Sequence, residues 1–413
     1  MKLRSVRGTH DLYGHDINKY NRIYNIVSRH ALLNNFIELQ TPIFEFTDLF
    51  SKPLGDQSDV VLKEMYTFKD RNEDLLTLRP EYTTPMIRAA ITNNLLEELP
   101  LKIYGLGPMF RRERPQKGRY RQFNQINFEV FGSSDFIIDL ELISLANEIL
   151  NSIIPSDKYT LNINSLGDYK NLKNYKESLS KYFNQNKTKL SIESKIKIDK
   201  NPIRILDSKN DDDIMVSKNA PKIYEFLSDE CKIHYENIKK GLELYNIDYA
   251  ENSNLVRGLD YYCSTVFEFK TKDLGSQDTL IGGGRYDGLI GSLGGPNIPG
   301  IGWAAGVERI SMLMEEINVD EPRIHIAISD EKFKNHLIKI INYFRKNEII
   351  FFWNYKYNLK KSLSKANFKN ADFVVIIGEN EFNNNFYTLK QLSTGNQFEL
   401  DIDNIKKFLN DKF

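Results

Sequence analysis

The sequence predicts an α+β chain in two parts: a large unit of antiparallel strands and helices with a mainly helical insertion, and a smaller C-terminal α/β unit. Three observations lead there. Two apolar runs, Ile103–Phe110 and Arg121–Phe131, flank a polar loop holding Pro115 and Gly118, as antiparallel partners do. From about Asp168 to Glu236 the chain is rich in Lys, Asn, Ser and Asp and lacks strong strand signals, which reads as a mainly helical insertion. Beyond Pro322, strand and helix signals alternate, the pattern of a separate α/β unit. A chain of 413 residues is too long for one simple core, and boundaries near 1–320 and 322–413 follow.

In order, a helix is predicted over Asn18–Asn34, where Ile23, Ile26, Val27, Leu32 and Leu33 recur at roughly helical spacing. Phe36–Glu45 reads as extended chain into a turn at Pro42. Thr84–Leu99 reads as a second helix, with Pro85 near its start, where a missing N–H costs little. Ile138–Ile153 is a helix by period, Leu255–Phe269 a strand pair or hairpin, and Thr279–Ile310 a glycine-rich stretch feeding a helix. The last unit reads as strand Arg323–Ser329, helix Glu331–Asn347, strand Ile349–Trp353, helix Leu359–Ala366 and strand Phe373–Gly378.

Composition narrows the function classes. Fifty-six Lys and Arg balance fifty-six Asp and Glu, so a nucleic-acid partner must be met by local basic clusters rather than by global charge. The only two cysteines, Cys231 and Cys263, form no CxxC pair, which argues against a structural zinc site or a disulfide framework and suits a reducing cytoplasm. Met1–Asp16 lacks the apolar run of a signal peptide, and no stretch of about 20 apolar residues offers a membrane span.

Five segments could carry chemistry. In Phe110–Phe123, Arg111, Arg112, Arg114, Lys117, Arg119 and Arg121 crowd together; guanidinium forks match phosphate oxygens in charge and shape. A charge run alone is more often a solvated turn, but this one lies between two apolar strands. Gly282–Leu289 and Gly300–Arg309 let backbone approach a ligand closely, although neither is a Lys-Ser/Thr phosphate loop nor a dinucleotide fingerprint; alone they read as tight packing. Arg257, among Leu255, Val256, Tyr261 and Tyr262, needs a partner: either Asp260 or an anionic substrate. Glu81 and Thr83 either bind an amine or cap the following helix, and spacing alone favours the cap. Gln125, Asn127 and Glu129 alternate with Ile126, Phe128 and Val130, so the polar three share one strand face, where a carboxylate calls for a cationic or N–H-bearing partner.

Together with Val6–Asp11, Lys63–Phe68 and Asn201–Lys209, these segments resemble the histidyl-tRNA synthetases, a class II aminoacyl-tRNA synthetase family, over nearly the whole chain. Arg257–Tyr262 and Gly282–Leu289 are similar to the family's two histidine-specific motifs, the arginine loop to class II motif 2, and Gly300–Arg309 to motif 3. The resemblance implies a class II antiparallel sheet flanked by helices, a C-terminal α/β anticodon-binding domain, and a cytoplasmic homodimer joined around Phe36–Glu45, with no membrane attachment. It implies a histidine–tRNA ligase that takes L-histidine, ATP with Mg²⁺, and tRNA(His).

The implied roles are these. Arg111 holds the α-phosphate, Glu113 reads the adenine edge, Phe123 stacks on the base, and Arg309 covers its other face and reaches the γ-phosphate. Glu81, Thr83 and Gln125 hold the α-amino group; Glu129 and Tyr262 bond the two imidazole nitrogens, and Tyr261 and Tyr286 line the pocket. Arg257 sits between the substrate carboxylate and the α-phosphate, completing the catalytic set with Arg111 and Arg309, which must therefore share one hollow. Gln116, Lys117 and Arg119 are the candidates for the RNA acceptor end. No resident metal ligand is assigned. One departure stands out: Tyr82 occupies a position where the family usually has glycine, so its ring either folds over the pocket or points away. Cys263 reads as packing rather than as a nucleophile.

Two rivals compete with this reading. The regulatory subunit of ATP phosphoribosyltransferase shares the core fold but lacks the C-terminal domain and several reactive residues; Arg257, Arg309 and residues 322–413 argue against it. A plain RNA-binding module explains the arginines and leaves the polar pocket unexplained. In the C-terminal part, lysines between Lys332 and Lys369 accompany Phe351, Phe352, Trp353 and Tyr355, which suits stacking on single-stranded RNA, though Phe351–Trp353 reads slightly better as a buried strand.

A pocket that bonds both ring nitrogens rejects an analogue lacking them by about 10⁴-fold, because its own polar groups are then left unpaired. Glu129→Ala should therefore raise the KM for histidine far more than the KM for ATP; equal increases in steady-state kinetics would contradict the assignment.

Overall fold

The computed structural model describes residues 3–54, 60–275, 278–315 and 323–412. The chain separates into two compact units, 1–315 and 316–413. The boundary residue Pro322 lies outside the described residues.

The first unit is organised by eight strands: β1 (Ile37–Glu38), β5 (Leu101–Phe110), β6 (Gln122–Phe131), β7 (Thr160–Ser165), β8 (Tyr249–Glu251), β9 (Cys263–Lys270), β10 (Thr279–Arg285) and β11 (Gly300–Gly306). Their spatial order is β1-β5-β6-β11-β10-β9-β7-β8. All pairings in the middle are antiparallel, and only the edge pairs β1–β5 and β7–β8 are parallel. A second, three-stranded sheet is formed by β2 (Phe44–Phe46), β4 (Leu75–Leu78) and β3 (Tyr66–Lys69), in that order.

Register determines what each face of the large sheet presents. Glu129 pairs with Gly302 and Asn127 with Ala304, while Gly282 pairs with Ala304 on one side and with Glu268 on the other. Successive residues alternate faces, so Gln125, Asn127, Glu129 and Glu268 flank a central strip of glycine and alanine. The opposite face carries Ile126, Phe128 and Val130, where Phe128 stacks on Trp303 at 4.7 Å between ring centroids. That apolar face is covered by helices. His15–Leu33 buries Ile23, Val27 and Ala31, one residue per turn, and Phe136–Asn151 is capped by the Asp135 carboxylate accepting from Ile137 N at 2.9 Å.

Arg285, buried at the end of β10, forms a forked ion pair with Asp139 of the helix Phe136–Asn151 and donates to the carbonyls of Ser133 and Asp135, each at 3.0 Å. Burial alone would raise the Asp139 pKa; the His234 hydrogen bond and the Arg285 charge outweigh it and hold the carboxyl below its usual range.

The segment predicted as an insertion is helical: Tyr169–Gln185, Ile192–Lys200, Asp211–Ser217 and Asp229–Leu244, with short 3₁₀ turns between them. Two expectations fail. The helix predicted to run to Leu99 ends at Thr92, because Asn94 takes a left-handed conformation (φ 56°) that a helix cannot continue through. The predicted strand pair at Leu255–Phe269 is one strand, β9; residues 255–262 form an irregular loop whose apolar character reflects burial of Leu255, Val256, Tyr261 and Tyr262.

The second unit has a five-stranded sheet, β12 (Ile324–Ile328), β13 (Phe351–Tyr357), β14 (Phe373–Ile377), β15 (Tyr387–Gln391) and β16 (Gln397–Leu400), in the order β13-β12-β14-β15-β16. The first three are parallel, joined by the helices Lys334–Lys346 and Leu359–Phe368; the last two, which the sequence reading did not foresee, are antiparallel. Phe351 and Trp353 pack on the core, whereas Tyr355, in an irregular stretch of β13 with φ 56°, stands 79% exposed.

Candidate active site

On the polar face of the large sheet lies a cleft lined by charged, polar and aromatic side chains. Eleven of the predicted residues line it: Glu81, Thr83, Arg111, Glu113, Arg119, Phe123, Gln125, Arg257, Tyr261, Tyr262 and Arg309. Arg111, Arg257 and Arg309 thus face one hollow although they come from three different segments. Glu129 and Tyr286 are not in its wall: Glu129 lies directly beneath Thr83, and Tyr286 lies beneath Glu129. Gln116 and Lys117 do not reach the cleft. They belong to the tight turn Gln116–Arg119, closed by reciprocal backbone hydrogen bonds of 3.1 and 2.9 Å, with Gly118 at φ 72°.

One end of the cleft is strongly cationic. Arg111 is held by its Nε donating to Pro80 O at 2.8 Å, and its guanidinium lies 5.5 Å from the Phe123 ring centroid. Glu113 is ion-paired to Arg119. Arg309 donates to Gly118 O at 3.0 Å and to Thr279 O at 2.8 Å, tying the turn of the arginine loop to β10. Burial, followed by repulsion from Arg111 and Arg119, pulls the Arg309 pKa down to about 10. Positive groups crowded enough to destabilise one another gain most from a polyanion.

The other end is a hydrogen-bonding floor. Glu81 accepts from Thr83 N and Thr84 N, each at 2.8 Å, so it does cap the helix Thr83–Thr92 while also facing the cleft. Glu81 Oε1 also accepts from the Thr84 hydroxyl, so it is Oε2 that keeps a second lone pair for a ligand. Thr83 Oγ1 donates to Glu129 Oε1 at 2.6 Å, and the Tyr286 hydroxyl donates to Glu129 Oε2. Burial pushes the Glu129 pKa up to about 8 against these hydrogen bonds. Tyr261 and Tyr262 meet at 4.7 Å, and Tyr261 packs edge-on to Tyr286 at 5.6 Å. Among the described residues, Gln125 Oε1 and Asn127 Oδ1 are buried in this floor without a hydrogen-bond partner, as acceptors awaiting a ligand N–H would be.

Arg257 joins the two ends. It is ion-paired to Glu268 rather than to Asp260, lies 5.6 Å from the Tyr262 ring centroid, and keeps a buried Nε without a partner among the described residues. Tyr82 points away from the cleft: its ring is buried 4.2 Å beneath the Arg79 guanidinium and its hydroxyl donates to Leu39 O at 3.3 Å. Glycine at 105 leaves the room that this ring needs. Cys263 is buried, and burial pushes its thiol up to about 12, so it is an inert packing group.

Several cleft residues were missed by sequence reasoning. Tyr120, Thr279 and Glu308 line the cleft, and Glu308 fixes Asn124 through its backbone N (2.8 Å) and its Nδ2 (3.0 Å). Glu268 had one readable signal: a carboxylate inside the otherwise apolar run Cys263–Phe269.

Residues 8–310 match the family model described as histidyl-tRNA synthetase, and residues 320–412 match the one described as an anticodon binding domain. A histidine–tRNA ligase of Wolbachia pipientis from Culex pipiens is 43% identical over 96% of this chain and 97% of its own length. One from Ehrlichia ruminantium (strain Welgevonden) is 44% identical over 96% and 95%. The crystal structure of apo Staphylococcus aureus histidyl-tRNA synthetase superposes with a TM-score of 0.81 at 32% identity, covering 99% of this chain and all of that one.

The raised Glu129 pKa has a measurable consequence. An unfolded glutamate loses its proton near 4.5, the folded one near 8, so between those values the folded chain holds one extra proton. The resulting stability is complete below pH 4.5 and is lost as pH rises through about 8. In urea titrations of the ligand-free chain, wild type should lose up to about 1.4 kcal/mol per pH unit relative to Glu129→Gln over that window. A difference that does not vary with pH would show that Glu129 is already ionised in the fold.

Proposed function

The chain belongs to the histidyl-tRNA synthetase family and acts as a histidine–tRNA ligase, and on that premise we propose how its residues divide the work. A carboxylate oxygen of histidine attacks the α-phosphorus of ATP. The bond to the bridging oxygen breaks, pyrophosphate leaves with the electron pair, and histidyl-adenylate forms. A ribose hydroxyl of the terminal adenosine of tRNA(His) then attacks the acyl carbon and AMP departs, its phosphate being available to take the hydroxyl proton.

The first step brings two anions together, so positioning and charge stabilisation carry it. Arg257 bridges the histidine carboxylate and the α-phosphate, and Arg111 holds that phosphate from the other side. Phe123 and Arg309 sandwich the adenine, Glu113 reads its edge, and Arg309 extends to the γ-phosphate. Magnesium enters as part of the substrate, MgATP, because Mg²⁺ keeps several waters and binds chiefly through substrate phosphates. Glu81, Thr83 and Gln125 receive the α-ammonium group. Glu129 and Tyr262 bond the imidazole, Tyr286 fixes Glu129 from below, and Tyr261 walls the ring. The observation that carries this division is the joining of a cationic end and a hydrogen-bonding polar end in one cleft, with Arg257 between them.

Partner assignments follow from surfaces. Ile37, Ile43, Phe44, Phe46, Phe68 and Leu75 are exposed apolar side chains on and around the small sheet, the stretch that includes Pro42; they support a homodimer joined there. In the second unit, residues 351–370 hold Lys356, Lys360, Lys361, Lys365 and Lys369 and no Asp or Glu, beside the exposed Tyr355. That pairing of positive charge with a free aromatic face supports contact with single-stranded RNA bases. Gln116, Lys117 and Arg119 face the acceptor end. No helix among the described residues is long and apolar enough to cross a membrane, and we place the enzyme in the cytoplasm. The regulatory-subunit reading loses to full-length relatives named as ligases and to the match of residues 320–412 to an anticodon-binding model.

Exchange of labelled pyrophosphate into ATP should require both L-histidine and ATP. Arg257→Ala should lower kcat by about 10²–10³-fold, the range expected for losing one preorganised donor at a developing charge. Exchange without histidine, or an Arg257→Ala enzyme of wild-type kcat, would refute the assignment.

A further inference from the structure

The loop at 255–262 bears Arg257, Tyr261 and Tyr262 yet has no regular secondary structure to hold it. Its backbone ties are few: Leu255 N donates to Asn252 O at 2.8 Å, and Leu255 O accepts from Asn164 Nδ2 at 3.0 Å, both at the loop's start. Toward its end the link is Asp260. The Asp260 carboxylate accepts from Asn201 Nδ2 at 2.9 Å and from Arg204 at 3.0 Å. Both donors lie in the insertion, about sixty residues upstream, in the stretch Asn201–Lys209 that the division of labour above leaves without a task.

That stretch is itself anchored. Ile203, Ile205 and Leu206 are buried in the same apolar cluster as Leu255, Val256, Tyr261 and Tyr262. Pro202–Ile205 forms a 3₁₀ turn, which aims Arg204 back at the loop. The Arg204 and Asp260 side chains are 19% and 28% exposed, so the pair is partly shielded from solvent and from salt screening. Asp260 immediately precedes the tyrosine pair, so anchoring its side chain restrains the backbone that carries the two rings.

We propose that Asn201 and Arg204 are positioning residues for histidine recognition: they clasp Asp260 and so hold Tyr261, Tyr262 and Arg257 in register over the cleft. The insertion thereby becomes part of the amino-acid pocket, and whatever shifts it changes histidine binding before ATP binding. Arg111, Phe123 and Arg309 are supported by other strands and do not depend on the clasp. This inference rests on the histidine assignment above.

Pyrophosphate-exchange kinetics test it. Arg204→Ala should raise the histidine KM about tenfold or more, as misplaced binding groups do, and leave the ATP KM within about twofold. Asp260→Asn, which keeps shape and one acceptor, should show a smaller change of the same kind, and Arg204→Lys should restore part of the loss. The double variant Arg204→Ala/Asp260→Ala should be no worse than the poorer single one, because both break a single clasp. Equal rises in both KM values, additive losses, or a lowered melting temperature with wild-type histidine KM would each overturn the clasp. If Arg257→Ala loses exchange while Arg204→Ala keeps the wild-type histidine KM, only the clasp falls; if wild type shows no histidine-dependent exchange, the functional assignment falls and takes the clasp with it.

Discussion

Two ionisable side chains lie buried against a sheet because the strands beneath them lack side chains. A β-carbon at Gly302 would collide with the Glu129 carboxylate, and one at Gly282 would collide with the Arg257 guanidinium. Those glycines sit on neighbouring strands, facing the same way, with Ala304 between them in the register. The hollow strip is therefore a property of the sheet's pairing, and the pairing is fixed by the apolar residues on its other face. From this strip follow the depth of the cleft, the burial of Glu129 and the route by which Arg257 reaches from its loop to the centre.

Burying these groups sets their chemistry. At one end burial, and after it repulsion from Arg111 and Arg119, loosens the hold of Arg309 on its proton. At the other, burial keeps a proton on Glu129 to about pH 8 against the hydrogen bonds from Thr83 and Tyr286. Neither end is relaxed without a ligand. On the proposed assignment a triphosphate relieves the first and an imidazole N–H suits the second, so binding energy would be drawn from groups already desolvated and aimed. Arg285 and Asp139 contribute from below, locking the end of β10 and with it the adjacent Tyr286 that bonds Glu129.

How much of this could be read beforehand depended on how local the signal was. The arginine loop, the strand pair around it, the helical insertion and the α/β alternation after residue 322 all announce themselves within a few dozen residues. Contacts across the chain do not. The partner of Arg257 is Glu268 on the following strand, not the nearby Asp260, which turns instead to Arg204 in the insertion. Tyr286 reaches Glu129 over 157 positions of sequence. Apolar density misled at Leu255–Tyr262, where burial comes without strand geometry, and helical period misled after Thr92, where a single left-handed Asn94 ends the helix. For Tyr82 the sequence left two orientations open, over the pocket or away from it; the outward one has its room from Gly105, on a strand it does not adjoin in sequence.

If the missing side chain at Gly302 is what houses the imidazole-binding carboxylate, filling it should damage one substrate site and spare the other. Calorimetric titration of Gly302→Ala with L-histidine and, separately, with ATP measures this directly. A displaced Glu129 predicts histidine affinity lower by about tenfold or more, the scale of a lost buried polar contact, with ATP affinity near that of wild type. Wild-type histidine affinity in that variant would contradict the account.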